Sequence, residues 1–223
     1  MSAPVAAVGF RSGLAAFAFT VLFVVVQLLQ LAGAFRFPVD EILIYGSSLG
    51  IVVPFVLEMT ALHHVTVPDR RFWTHVALVF TILYAVFVTA NYAVQLGTVI
   101  PARLAGTAET IGVLEQTPHS MFWVFDALGY IAMGLAALFA IPAFGDAGFE
   151  RGVRLSLLAH ALTTPLIAVV YFAPTFSTKL LLLGLPWGLT APIFMLMLAL
   201  HMRRLAGPEP PGMSAERGLT EES

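Results

Sequence analysis

Two groups of polar residues interrupt stretches that are otherwise apolar, and their side chains could move a proton or hold a polar headgroup. The first comprises Asn91, Tyr92 and Gln95, followed by His119, Asp126 and Tyr130. Asn91 and Gln95 are four residues apart and share one helical face; His119, Asp126 and Tyr130, at steps of seven and four, share another. An imidazole, a carboxylate, phenols and amides brought together can bind a polar group, relay a proton, or act as general acid and base. Tyr171 falls at a similar depth. The second group is Glu58 and His160, each more than a turn inside an apolar run, where an unpaired ionisable side chain is costly. Pairing them would lower the cost of both.

Other polar residues read more plainly. Gln27 and Gln30 are expected to hold helices together through hydrogen bonds of ~0.6–2 kcal/mol each. His63, His64, His75 and His201 sit at the ends of apolar runs, as solvated or headgroup-level imidazoles. A bis-imidazole haem would need His160 opposite His64, His75 or His201; no spacing here is diagnostic, so haem is a distant alternative and no other cofactor is expected. With 0 Cys, thiolate chemistry and disulfides are excluded. No Gly-x-Ser-x-Gly elbow, Gly-rich phosphate loop or carboxylate-rich metal set occurs, so no metal site is expected. Lys179 opens a span and does not sit in the middle of one, which argues against a retinal Schiff base.

The elements that must position these residues follow from composition. Of 223 residues, 59% are hydrophobic and 11% charged, less than half the ~25% a water-facing domain carries. Mean hydropathy is +0.90. Six runs of about twenty apolar residues, each able to cross a ~30 Å hydrocarbon core, fall near 14–35, 42–62, 75–97, 120–142, 155–175 and 180–202. Backbone inside a bilayer must satisfy itself, so each run is a helix. The fold class is therefore all-α: a polytopic bundle of six transmembrane helices over 1–204, with a disordered tail over 205–223. This excludes a soluble enzyme, and the net charge of −2 offers no basic field for nucleic acid. The first run, too long for a signal-peptide core, reads as a retained signal anchor.

The Lys/Arg distribution orients the bundle. With the N-terminus inside, Arg11, Arg70, Arg71, Arg151, Arg154, Arg203, Arg204 and Arg217 are inner, while Arg36, Arg103 and Lys179 are outer. That bias predicts cytoplasmic termini in the cytoplasmic membrane. The Asn91–Tyr130 group then falls in the outer half, and Glu58 with His160 in the inner half. The outer loop from Thr98 to Pro118 is long enough to act as a lid. Within it Thr107 is expected to cap a short amphipathic helix reaching Gln116, and Thr117-Pro118 to open the fourth span. Pro54, Pro165, Pro186 and Pro192 are expected to bend their spans.

One stretch carries a resemblance. Asn91-Tyr92-x-x-Gln95-Leu96, Pro101-x-x-Leu104, Glu109, Pro118-His119-x-x-Phe122 and Asp126-x-Leu128-Gly129-Tyr130 resemble bacterial six-span membrane proteins of unknown function, of the DUF4386-like kind. It covers about forty residues, and Asp126 stands where that pattern has Glu. The resemblance implies six helices in the cytoplasmic membrane and no particular reaction. The leading expectation is a bundle that binds or moves a small amphipathic molecule or membrane lipid through a polar outer-leaflet pocket. Asn91, Tyr92, Gln95, His119, Asp126 and Tyr130 would line that pocket. The alternatives are an intramembrane enzyme using His119 or Asp126 on a lipid-like substrate, and a structural or haem-bearing subunit of a membrane complex.

Overall fold

A computed structural model describes residues 3–177 and 179–207. The expected tail lies outside them except at its start, where Leu205 and Ala206 still belong to a helix. Among the described residues there are eight α-helices: α1 (Ala3–Leu31), α2 (Val39–Val65), α3 (Arg71–Val94), α4 (Ile100–Leu104), α5 (Met121–Ala140), α6 (Gly148–Ala161), α7 (Thr164–Phe172) and α8 (Leu185–Ala206). No strand occurs among the described residues. Six helical segments are long and apolar enough to cross a membrane: Ala3–Leu31, Val39–Val65, Pro68–Leu104, Met121–Ala143, Gly148–Phe172 and Leu180–Ala206. The chain is an all-α, multi-pass membrane bundle.

The helices form a ring. α1 packs on α2 and α8, α3 on α2 and α5, and α6 on α5 and α8, while α7 rests on α5 and on the turn Leu180–Gly184. A close joint forms where the first turns of α1 meet the last turns of α2 and α8. Ala6, Gly9, Gly13 and Ala16 form one buried stripe on α1. A Cβ added to Gly9 would lie 2.8 Å from Ala61 Cβ and 3.0 Å from Met202 Cγ. Small residues at a spacing of four let membrane helices approach closely and gain dispersion energy where no hydrophobic driving force acts between them. This joint also shows that Ala3 and Ala206 lie at the same end of the bundle, called here the terminal end.

Several boundaries differ from the hydropathy reading. The first span begins at Ala3, not near 14, because the Gly- and Ala-rich stripe is helical although only moderately hydrophobic. Pro186 does not bend α8: it occupies the first turn, where its missing donor has no intrahelical partner to lose. Pro54 and Pro192 do lie inside helices. The fifth span is broken between α6 and α7, with Pro165 opening the second piece and Thr163 Oγ1 donating to His160 O at 2.7 Å.

The long loop is also built differently from expectation. α3 continues through a π turn, Gln95–Val99, into α4. The segment beyond is two short 3-10 turns, Ala108–Thr110 and Gly112–Leu114, in place of one helix. Thr107 holds the N-cap position of the first, but its hydroxyl makes no capping bond there and donates to Ala102 O at 3.3 Å. The cap of α5 is Ser120, whose Oγ accepts from Trp123 N at 3.1 Å, so Thr117-Pro118 precedes the span and does not open it.

Candidate functional site

At the end of the bundle opposite the termini, the helices enclose a cleft of about 700 Å³. Its walls come from the last third of α1, the first turns of α2, Tyr92 on α3, Gln116 and Pro118 of the loop, and the facing parts of α5, α7 and α8. The break between α6 and α7 helps make it: α6 closes against α8, whereas α7 leans on α5. Where α7 meets α5, Gly134 is needed, since a Cβ there would collide with the Thr164 hydroxyl.

Asp126, 4% exposed, is the polar centre of this cleft. Its Oδ1 accepts from the Tyr92 hydroxyl at 2.6 Å. Its Oδ2 accepts from the Tyr171 hydroxyl at 2.5 Å and from Gln116 Nε2 at 2.9 Å. Three donors from α3, α7 and the loop therefore converge on one carboxylate, an acceptor-only group whose oxygens they satisfy. Charge-assisted hydrogen bonds of this kind are shorter and about twice as strong as neutral ones.

Asn91 and Gln95 serve this centre at one remove. Asn91 Nδ2 donates to Gln116 Oε1 at 3.0 Å. Gln95 Nε2 donates to Leu114 O at 2.8 Å, and its Oε1 accepts from Gln116 N at 3.3 Å. The two amides, fully buried on one face of α3 and its π turn, thus hold the loop and aim Gln116 at Asp126. Asn91 and Gln95 therefore act on Asp126 through Gln116 and not by direct contact. Gln116 itself had no motif to announce it, because it stands in a loop between two 3-10 turns and a capping serine.

His119 does not join the site. It is exposed, with φ +68°, in the link before Ser120, so it does not continue the α5 stripe that carries Asp126 and Tyr130. Tyr130 does line the cleft, its ring 4.8 Å from Trp187 and 5.9 Å from Tyr171. Trp123 lies with its ring tilted against Tyr171 at 4.5 Å and donates from Nε1 to Tyr171 O at 3.1 Å, fixing the residue that contributes the shortest bond to Asp126. At the mouth, Gln27 Nε2 donates to Gln30 Oε1, and Gln30 Nε2 donates to Asp40 Oδ2, both at 3.0 Å. Gln30 thus ties α1 to α2 as expected, and both glutamines also line the cleft.

No protein-family model, curated protein or solved structure matches this chain. What the site does must come from its own geometry.

Glu58 and His160 are both fully buried but share no hydrogen bond. Glu58 points toward α1 and α8, where a Cβ on Gly13 would collide with its carboxyl, and neither oxygen has a partner. His160 turns instead to α8: its Nδ1 is 3.1 Å from Thr190 Oγ1, and its ring lies 4.5 Å from Phe194 and 6.1 Å from Trp187. The expected pair is corrected because the two side chains face different helix interfaces. The ring neighbours of His160 are Phe194 and Trp187. At the terminal end, His63 and His75 lie with ring centroids 5.5 Å apart, and His63 Nδ1 is 3.1 Å from Thr74 Oγ1. No group of three or more His, Cys, Asp or Glu able to hold a metal occurs among the described residues.

Proposed function

We propose that this protein binds, or moves between leaflet and solution, a small amphipathic molecule or lipid held in the cleft around Asp126. The observation that carries the reading is the cleft itself. About 700 Å³ of space is lined mostly by apolar and aromatic side chains, with a few polar groups gathered at one place. That is the form of a ligand pocket, in volume and in lining. Its rim supports a ligand arriving through the bilayer: Leu28, Leu31, Leu185 and Leu189 line the cleft and are each more than half exposed on membrane-spanning helices. With the termini in the cytoplasm of a cell bounded by its cytoplasmic membrane, as the Lys/Arg bias favours, the cleft opens in the outer leaflet.

The intramembrane-enzyme reading is less well supported. Proton-transfer chemistry on a substrate asks for an acid and a base within reach of the same atoms. The hydrogen-bond partners of Asp126 are two phenols and an amide, and His119 stands outside the cleft.

The test fills the cleft. Gly188 lines it, and a Cβ there makes only ordinary contact, 3.6 Å from Val24 Cγ2, so Gly188→Phe starts from an uncrowded position and takes up cleft space. Native mass spectrometry of the purified protein should show one class of bound amphipathic molecule on the wild type and its loss from Gly188→Phe. Identical spectra, with only bulk lipid on both, would sink the binding reading.

A further inference from the structure

We infer that the ligand of this cleft is a lipophilic monocation, an amine or quaternary onium group on an apolar frame, with Asp126 as its counter-charge. The inference rests on the binding reading above and adds the sign of the ligand's charge.

The charges come first. Among the described residues the carboxylates lining the cleft are Asp126 and Glu41, and no Lys, Arg or His lines it. Glu41 is already matched outside the cleft by Arg103, at 2.7 Å. Among the described residues Asp126 is met only by neutral donors, the hydroxyls of Tyr92 and Tyr171 and the Gln116 amide. Those bonds satisfy its oxygens without cancelling its charge. In a space walled by low-dielectric helices that charge acts over several ångströms with little screening, attracting a cation and repelling an anion.

The aromatic rings supply the second observation. Phe23, Trp187, Tyr130, Tyr171, Trp123 and Phe176 form an unbroken run of ring contacts along the wall, with successive centroids 4.5–5.9 Å apart. Tyr171 belongs both to this run and to the Asp126 hydrogen bonds. Ring faces carry negative potential and bind ammonium-type cations, most strongly where water is excluded. A carboxylate beside a run of aromatic rings lining the cleft is complementary to a bulky, weakly hydrated cation. It is the wrong environment for a fatty acid or a phosphate headgroup. The apolar remainder of the cleft and its leucine rim suit the cation's lipophilic frame.

A matched pair of probes separates charge from shape. Tetraphenylphosphonium and tetraphenylborate have the same size and opposite charge. Each is titrated into the full chain in nanodiscs, following the fluorescence of the cleft residues Trp123 and Trp187, with empty nanodiscs as the blank. The saturable affinity for the phosphonium should fall about tenfold or more in Asp126→Asn, while that for the borate should not fall. Gln27→Lys is the second variant, since it adds a cation beside the cleft without touching the partners of Asp126. It should weaken the phosphonium and strengthen the borate, whether or not Asp126→Asn folds. Equal effects of Gln27→Lys on both probes, or tighter saturable binding of the borate, overturn the charge assignment and leave the cleft a neutral amphipath site. Absence of saturable binding by either probe overturns the cation inference. The loss of a neutral lipid from Gly188→Phe would then keep the binding reading, and no loss would end both.

Discussion

Asp126 draws its three donors from segments that are far apart in the chain, so each bond to it also joins two parts of the bundle. The Tyr92 and Tyr171 hydroxyls bring α3 and α7 to α5, and Gln116 brings the loop. A hydrogen bond to a charged group contributes about 1.5–3 kcal/mol, and a buried acceptor left unpaired costs a comparable amount. Tyr171→Phe should therefore destabilise the protein by about 2 kcal/mol and Tyr92→Phe similarly, as read from thermal melts in detergent. In a double-mutant cycle, Tyr171→Phe and Asp126→Asn should couple by about 1 kcal/mol or more. Additive effects would mean that the phenol does not stabilise the carboxylate. Glu58 presents the opposite case. Both its oxygens are buried without a partner, so its polarity contributes nothing to packing. Replacing an uncompensated buried polar group by an apolar one of similar volume is often stabilising. Glu58→Met should raise the melting temperature by about 3 °C. A lower melting temperature would reveal a partner for the carboxyl that the static packing lacks.

Among the elements, the joint of α1 with α2 and α8 depends on the absence of side chains at Gly9 and Gly13. A Cβ on Gly13 would lie 2.8 Å from Ala199 Cβ and would collide with the Glu58 carboxyl. Gly13→Leu should cost about 1–3 kcal/mol through overpacking. Gly46→Ala on α2 is the control, since nothing lies within 4 Å of the added Cβ and the helix gains from losing a glycine. Equal melts for the two variants would show that the close approach does not hold the helices together. The π turn at Gln95–Val99 is a second element-scale device. It carries Gln95 while the chain passes on into α4, and Gln95 then holds both Leu114 O and Gln116 N. π turns inside helices occur often at functional sites, and this one sets the loop wall of the cleft.

At the scale of the whole molecule, an even number of spans places Ala3 and Ala206 at one end and the cleft at the other. The terminal end carries Arg70, Arg71, Arg151, Arg154, Arg203 and Arg204, while the opposite end carries Arg36, Arg103 and Lys179. Reporters fused before Met1 and after Ser223 should both read cytoplasmic. Two extracytoplasmic readings would turn the cleft toward the cytoplasm, and opposite readings at the two ends would contradict six spans. The surface fits a protein held in lipid. Leu22, Val25 and Leu29 on α1 and Val79, Ile82, Leu83 and Val86 on α3 are exposed along helices that otherwise bury one face.

Hydropathy summed over about twenty residues is a local property, and it determined the count of spans, the helical class and the presence of Asp126, Glu58 and His160 inside them. The stripe Gly9-x-x-x-Gly13 was equally present in the chain, but it lies in a stretch whose small residues lower the hydropathy that marks a span. Spacing along one helix also placed Asn91 with Gln95 and Asp126 with Tyr130. It failed at His119, because Ser120 caps α5 and the helix begins only at Met121, and a left-handed φ turns the imidazole out of the stripe. The choice of partners was left to the tertiary structure. Asp126 meets residues 10, 34 and 45 positions away. Which of them reach it depends on the rotation of α3, the course of the loop and the break that frees α7 from α6. Glu58 and His160 match in depth yet face different neighbours, since depth follows from position along a helix and facing follows from how the helices are turned against one another.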